Sequence, residues 1–148
     1  MNAITIAVPV QRQNAIESVS YVEAPAVSAR QLAELFRSSG IRRPVDDLLR
    51  LEKMLEYANL LIGAYVGGRL VGIARALTDF SYCCYLSDLA VAKEYQHYGI
   101  GRELVERVKR RVGDQSMLLL LSSPEAMGYY PKVGLEPVAN GWIIKRKG

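Results

Sequence analysis

The sequence predicts an α+β domain in which a meander of strands is followed by an amphipathic helix and one more strand. Three observations carry this reading. From Asn59 the apolar pattern takes the period of strands: Leu60 to Val66, a Gly67-Gly68 pair and Leu70 to Leu77 read as a hairpin, and Tyr82 to Val91 as the next strand. Ile100, Leu104, Val108 and Val112 then recur at spacing four with Val105 beside them, charged residues on the outer face and Gly113 as the stop, which is a helix lying on a core. Met117 to Leu121 is an uninterrupted apolar run suited to a strand covered on both faces. With 148 residues, half of them hydrophobic and 23% charged, a single domain spanning 1–148 can bury a core.

The remaining elements follow in chain order. Residues 1–17 are an N-terminal extension of open role, in which Ile4 to Val10 has strand character and Gln11 to Ala15 reads as loop. Ser18 to Glu23 is a first strand, closed by Pro25. Ser28 and Gln31 have capping-box spacing ahead of Leu32, Leu35 and Phe36, and Gly40 ends that helix. Pro44 suits the first turn of a second helix, with Asp46 and Asp47 at its positive end and Leu48, Leu51, Leu55 and Ala58 as its buried stripe. Pro124 starts a short helix carrying Tyr129 and Tyr130, and Glu136 to Ala139, Asn140-Gly141 and Trp142 to Arg146 read as a closing hairpin.

Several function classes fall away on composition. The apolar runs are far too short to span a membrane and no secretory pattern opens the chain, so a soluble cytoplasmic protein is expected. Cys83 and Cys84 are adjacent, point to opposite faces of a strand and are expected to stay reduced. No metal-ligand spacing occurs, and the lone His97 leaves no Ser-His or Cys-His pair to build elsewhere. The net charge of +4 favours an anionic ligand. Its two basic clusters, Lys109-Arg110-Arg111 on a helix that also carries Glu103 and Glu106, and Lys145-Arg146-Lys147 at the chain end, read as solvated faces, so nucleic acid is not the expected partner.

Chemistry concentrates at Gln96-His97-Tyr98-Gly99-Ile100-Gly101, where a strand passes through a short loop into the long helix. Two glycines two apart keep the backbone bare, and the first turn of the helix offers unpaired N–H groups at the positive end of its dipole. Such a turn cradles a phosphate without a catalytic side chain or a metal. By itself the hexapeptide is weakly specific.

Together with Leu89-Ala90-Val91 at the end of the preceding strand and Ala126-x-x-Tyr129-Tyr130-x-Lys132-x-Gly134-Leu135 further on, in that order and at those separations, it resembles the GNAT superfamily of acetyl-CoA-dependent N-acetyltransferases. The resemblance covers the chain from about Asn59 onward. It implies a mixed, mostly antiparallel sheet flanked by helices and splayed where the strand to Val91 meets the strand at Met117. Acetyl-CoA then lies with its pantetheine arm in that gap, against the backbone of Leu89, Ala90 and Val91, and its pyrophosphate on Gln96, His97, Tyr98, Gly99, Ile100, Gly101 and Arg102. Tyr130 matches the tyrosine that protonates the departing thiolate, a role open to a phenol that keeps its proton at neutral pH. Where many relatives carry an asparagine seven residues before that tyrosine, this chain has Ser123, able to make one hydrogen bond to the cofactor.

An amine acceptor must lose a proton before it attacks, and Asp88 is the candidate base. Left unpaired in a buried strand, its carboxyl would be raised towards neutrality. The alternative is a structural acceptor or a partner to Arg75. The resulting expectation is direct acetyl transfer to a small-molecule primary amine, with a homodimer left open. A catalytically idle CoA-binding module and a protein N-terminal or lysine acetyltransferase are the alternatives.

Overall fold

The structure, a computed structural model, describes the backbone of residues 5–10 and 15–148 and the side chains from Ser18 onward. Six strands form one sheet in sequence order: Thr5–Val10 (β1), Ala15–Glu23 (β2), Leu60–Val66 (β3), Arg69–Thr78 (β4), Cys83–Val91 (β5) and Met117–Leu119 (β6). Neighbours up to β5 are antiparallel and β6 runs parallel to β5. Three α-helices complete an α+β fold: Ala29–Ser39 (α1), Leu48–Tyr57 (α2) and Ile100–Val112 (α3).

The helices cover opposite faces of the sheet. A Cβ on Gly72 would meet Ile100 Cγ2 and Leu104 Cδ1 of α3 at 3.2 Å, so β4 and α3 pack with no room for a side chain there. Arg75, three residues along the same strand and therefore on the other face, donates to the Met54 carbonyl of α2. The apolar stripe of α3, Ile100, Leu104, Val105, Val108 and Val112, is buried, as its spacing requires. α1 buries Leu32, Leu35 and Phe36 and begins with the capping box, in which the Gln31 N–H donates to Ser28 Oγ and the Ser28 N–H to Gln31 Oε1. Gly40 closes it at φ 83°, a left-handed conformation that glycine takes without strain.

Several sequence expectations need correction. The second helix starts at Leu48, with Asp47 as its N-cap accepting from the Arg50 N–H; Pro44 lies in the preceding turn. Of its expected stripe only Leu51 is fully buried, because α2 packs on α1 along one narrow seam. The run Met117 to Leu121 is strand only as far as Leu119 and is not covered on both faces, Met117 and Leu121 being 58% and 61% exposed. Tyr129 and Tyr130 stand at the join of two 3-10 turns, Pro124–Ala126 and Tyr130–Val133, and the closing hairpin is absent: residues 135–148 form no strand. In the extension, Thr5–Val10 is a strand and Ala15 already belongs to β2, while residues 11–14 lie outside the described residues.

Candidate active site

The loop from β5 to α3 holds its shape through its own side chains and its φ angles. Gln96 Nε2 donates to the Val91 carbonyl at 2.9 Å and to the Ser39 carbonyl at 3.2 Å, tying the loop to the end of β5 and to the end of α1. His97 and Gly99 both take left-handed φ, 70° and 85°. The first helical bond of α3 is that of the Glu103 N–H to the Gly99 carbonyl, so the N–H groups of Ile100, Gly101 and Arg102 have no helical acceptor and point out of the turn. Space above Gly99 is open, with nothing within 4 Å of a Cβ placed there. At Gly101 the equivalent Cβ would meet the Tyr129 hydroxyl at 2.9 Å. The two glycines therefore do different work: one leaves open space above the turn, the other makes room for a tyrosine. Ile100 is buried under the turn, whereas His97 and Arg102 are exposed and Tyr98 is half-buried.

The end of β5 presents bare backbone beside that turn. β6 accompanies β5 only from Cys83 to Tyr85, so from Leu86 to Val91 no strand lies on that edge and the sheet is splayed. The Ala92 N–H donates to Val71 of β4; alternation then turns the backbone groups of Leu89 and Val91 towards the open edge and those of Ala90 towards β4. An amide-bearing chain laid in the cleft would find them there, the Val91 carbonyl being shared with Gln96 Nε2.

Asp88, fully buried, faces the other side of β5. Its Oδ1 accepts from Arg43 Nε at 2.5 Å and its Oδ2 from Arg75 Nε. Arg75 also donates to Ser87 Oγ at 2.9 Å and Arg43 to the Ser87 carbonyl at 2.9 Å. The register of β4 against β5 shifts between Arg75 and Ala76, leaving Ser87 as an extra residue that the two guanidinium groups hold in place. The premise of an unpaired carboxylate is thus not met. The alternative, pairing with Arg75, is present and is doubled by Arg43, a residue that sequence reasoning did not single out. No local pattern marks Arg43, since its partner stands 45 positions away.

Tyr130 is half-buried beside this cluster. Burial pushes its hydroxyl above the usual phenol value and the positive charge of Arg43 pulls it part of the way back, so it stays protonated at neutral pH. Tyr129 packs edge-on against it, with ring centroids 5.3 Å apart and planes at 73°. Ser123 is exposed at the head of the 3-10 turn Pro124–Ala126, and its side chain caps nothing there. Among the described residues no group of three His, Cys, Asp or Glu side chains is placed to hold a metal ion, and no helix is long and apolar enough to cross a membrane.

Comparison with known proteins meets this geometry at residues 30–143, which match the model of the acetyltransferase (GNAT) domain. The chain belongs to the GNAT acetyltransferase family. An uncharacterized ycf52-like N-acetyltransferase of Prochlorococcus marinus is 29% identical over 125 residues; the match takes in 80% of this chain and 64% of the relative, so the chain spans less than two thirds of that protein's length. A GNAT acetyltransferase from Streptococcus pneumoniae TIGR4 superposes with a TM-score of 0.69 at 20% identity, covering 86% of this chain and 99% of the other. The aminoglycoside N-acetyltransferase AAC(6')-Iy, solved in complex with CoA, gives 0.67 at 18% identity over 88% of this chain and 95% of its own.

Within the GNAT domain the elements bring the sequence-predicted residues together in two groups. The end of β5 at Leu89, Ala90 and Val91, the loop from Gln96 to Arg102 and Tyr129 come together, with Gln96 Nε2 on the Val91 carbonyl and the Tyr129 hydroxyl over Gly101, while Tyr130 feels the charge of Arg43, which holds Asp88.

Proposed function

We propose that this GNAT domain binds acetyl-CoA along the open edge of β5 and transfers its acetyl group directly to a small-molecule primary amine. The observation that carries this reading is the juxtaposition of a strandless β5 edge with the uncapped first turn of α3. That pair of features suits a ligand with an amide-bearing arm and an anionic head. CoA in the similarly folded AAC(6')-Iy lends support, and the aminoglycoside named for that enzyme favours a small amine as acceptor. Free cysteines, one of them exposed, suit a reducing cytoplasm.

In the proposed reaction the neutral amine attacks the thioester carbonyl carbon. The new C–N bond forms, the C–S bond breaks, and the thiolate leaves with the proton of the Tyr130 hydroxyl, which regains one from solvent. The proton lost by the amine passes to water. We assign Asp88 a positioning role rather than that of base, because both its oxygens already accept from guanidinium groups.

Release of thiol from acetyl-CoA over a panel of amines tests the activity, and Tyr130→Phe tests the assignment. The variant keeps the ring and should lose ~10²- to 10⁴-fold in kcat with acetyl-CoA affinity preserved, since the hydroxyl matters as sulfur gains charge. No thiol release with any amine, despite acetyl-CoA binding, would make the chain an idle CoA-binding module. A Phe variant within about twofold of the parent would leave Tyr130 as packing only.

A further inference from the structure

Tyr129 and Tyr130 are consecutive, yet they address different parts of the molecule. Tyr130 lies within reach of the charge of Arg43, while the Tyr129 hydroxyl stands over Gly101 in the first turn of α3. Backbone bonds pin Tyr129 on both sides: its N–H donates to the Ala126 carbonyl at 3.0 Å and its carbonyl accepts from the Lys132 N–H at 3.1 Å. The two rings pack edge-on, so a shift of one is felt by the other.

Gly101 shows what the hydroxyl demands. Its φ is not left-handed, so its backbone does not call for glycine, and within a helix glycine is a poorer former than alanine. A Cβ there would meet the Tyr129 hydroxyl oxygen at 2.9 Å but its Cζ at 3.7 Å, an ordinary contact. The missing Cβ is therefore required by the hydroxyl and not by the ring. That hydroxyl makes no hydrogen bond among the described residues. Burial and then the neighbouring Tyr130 push it above the usual phenol value, and Arg102 pulls it part of the way back, so at neutral pH it is a donor. A protonated phenol held without a partner, beside the Ile100, Gly101 and Arg102 N–H groups that have no helical acceptor, belongs with them to one set of donors.

We infer that Tyr129 is a further acetyl-CoA residue, whose hydroxyl donates to a phosphate oxygen of the pyrophosphate and whose ring, fixed by that bond, holds Tyr130 in position for the departing sulfur. Tyr129 is thus a binding residue at the head of the ligand and a positioning residue for the acid. The inference rests on the acetyl-CoA reading given above. Binding at the nucleotide end is then used at the reacting end, which is how remote parts of a substrate raise kcat.

Calorimetric titration with CoA and initial rates with two acetyl donors test this. S-acetylpantetheine carries the thioester and the amides but neither pyrophosphate nor nucleotide. Tyr129→Phe keeps the ring and should weaken CoA binding ~10- to 10²-fold, the worth of a hydrogen bond to a charged group. The ratio of kcat/KM for acetyl-CoA to that for S-acetylpantetheine should fall by a similar factor, and kcat at saturating acetyl-CoA should fall with it. Gly101→Ala drives the hydroxyl away, so it should weaken CoA binding in the parent and far less in a chain that already carries Tyr129→Phe. The inference is overturned if Tyr129→Phe binds CoA within about twofold of the parent. It is overturned equally if both donors lose by the same factor, which would make Tyr129 packing alone, or if Gly101→Ala costs as much in both backgrounds. A parent that binds no CoA removes the acetyl-CoA reading and this inference together; a parent that binds CoA beside an unimpaired Tyr129→Phe removes this inference only.

Discussion

On the β4 side of β5 the polar groups are wired together. The backbone ladder is unbroken from Cys84 to Val91 apart from the bulge at Ser87, and there the guanidinium groups of Arg43 and Arg75 take both oxygens of Asp88 and both oxygens of Ser87. On the β6 side the same strand has a partner for three residues and then bare backbone, ending in a helix turn with N–H groups that no side chain caps. One strand thus carries a wired interior on one flank and, on the other, backbone groups that no strand pairs, the Val91 carbonyl alone being met by Gln96. Donors and acceptors on an open edge are free to meet water or a ligand, and this contrast is the ground on which acetyl-CoA is proposed to bind there.

The wired flank is where the largest effect is expected. Asp88→Asn leaves two guanidinium groups facing a neutral amide in a buried site, and breaking such a pair costs about 3–5 kcal/mol, towards the lower end here because Arg43 keeps some solvent access. Chemical denaturation should show this loss together with reduced turnover. A variant within about 1 kcal/mol of the parent, the scale of an exposed ion pair, would mean that the cluster does not hold the bulge.

The open flank should respond in binding rather than in folding. Gly99→Val forces a branched residue to φ 85°, a local strain of about 1–3 kcal/mol, and fills space that is empty above the turn. Calorimetric titration of the folded variant should find acetyl-CoA affinity lost, and undiminished affinity would remove the turn from the binding site. Val at Gly101 is a less clean probe, because it would first have to displace Tyr129.

The smallest effect sharpens the comparison at the root of β5. Asp79 Oδ1 accepts from the N–H groups of Ser81, Tyr82 and Cys83, which hold its carboxyl down at about 2. A carboxyl lowered in the folded state contributes stability above its unfolded value that disappears as pH falls through the folded one. Parent and Asp79→Ala should therefore differ in Tm at pH 5 and converge between about pH 4 and pH 2. Parallel curves over that window would show that the turn does not depend on the ionised side chain.

What the sequence revealed follows the range of the interactions. The capping box of α1, the spacing of α3 and the Gly67-Gly68 hairpin are local patterns, and each formed where it was read. Pro44 misled because its fixed φ suits a turn as well as a helix start, and Asp47 made the better cap. Met117 to Leu121 and Trp142 to Arg146 have strand composition, but a strand exists only where an edge accepts it, and that depends on distant residues. The glycine turn into α3 was legible because helix-end geometry is written in consecutive residues. Arg43 and the Tyr129 hydroxyl over Gly101 were not, since each meets its neighbour only after the chain has folded.

Gln96 gives this arrangement a kinetic consequence. Its amide is a strap between the turn that leads into α3 and the last carbonyl of α1, and Gly40 follows directly into the segment that carries Arg43. On the proposed reading, acetyl-CoA settling on the turn would brace the segment that carries Arg43, whose charge bears on Tyr130. Initial-rate patterns with both substrates varied are expected to show acetyl-CoA binding first and the amine second. In Gln96→Ala, with the strap cut, that order should relax towards random.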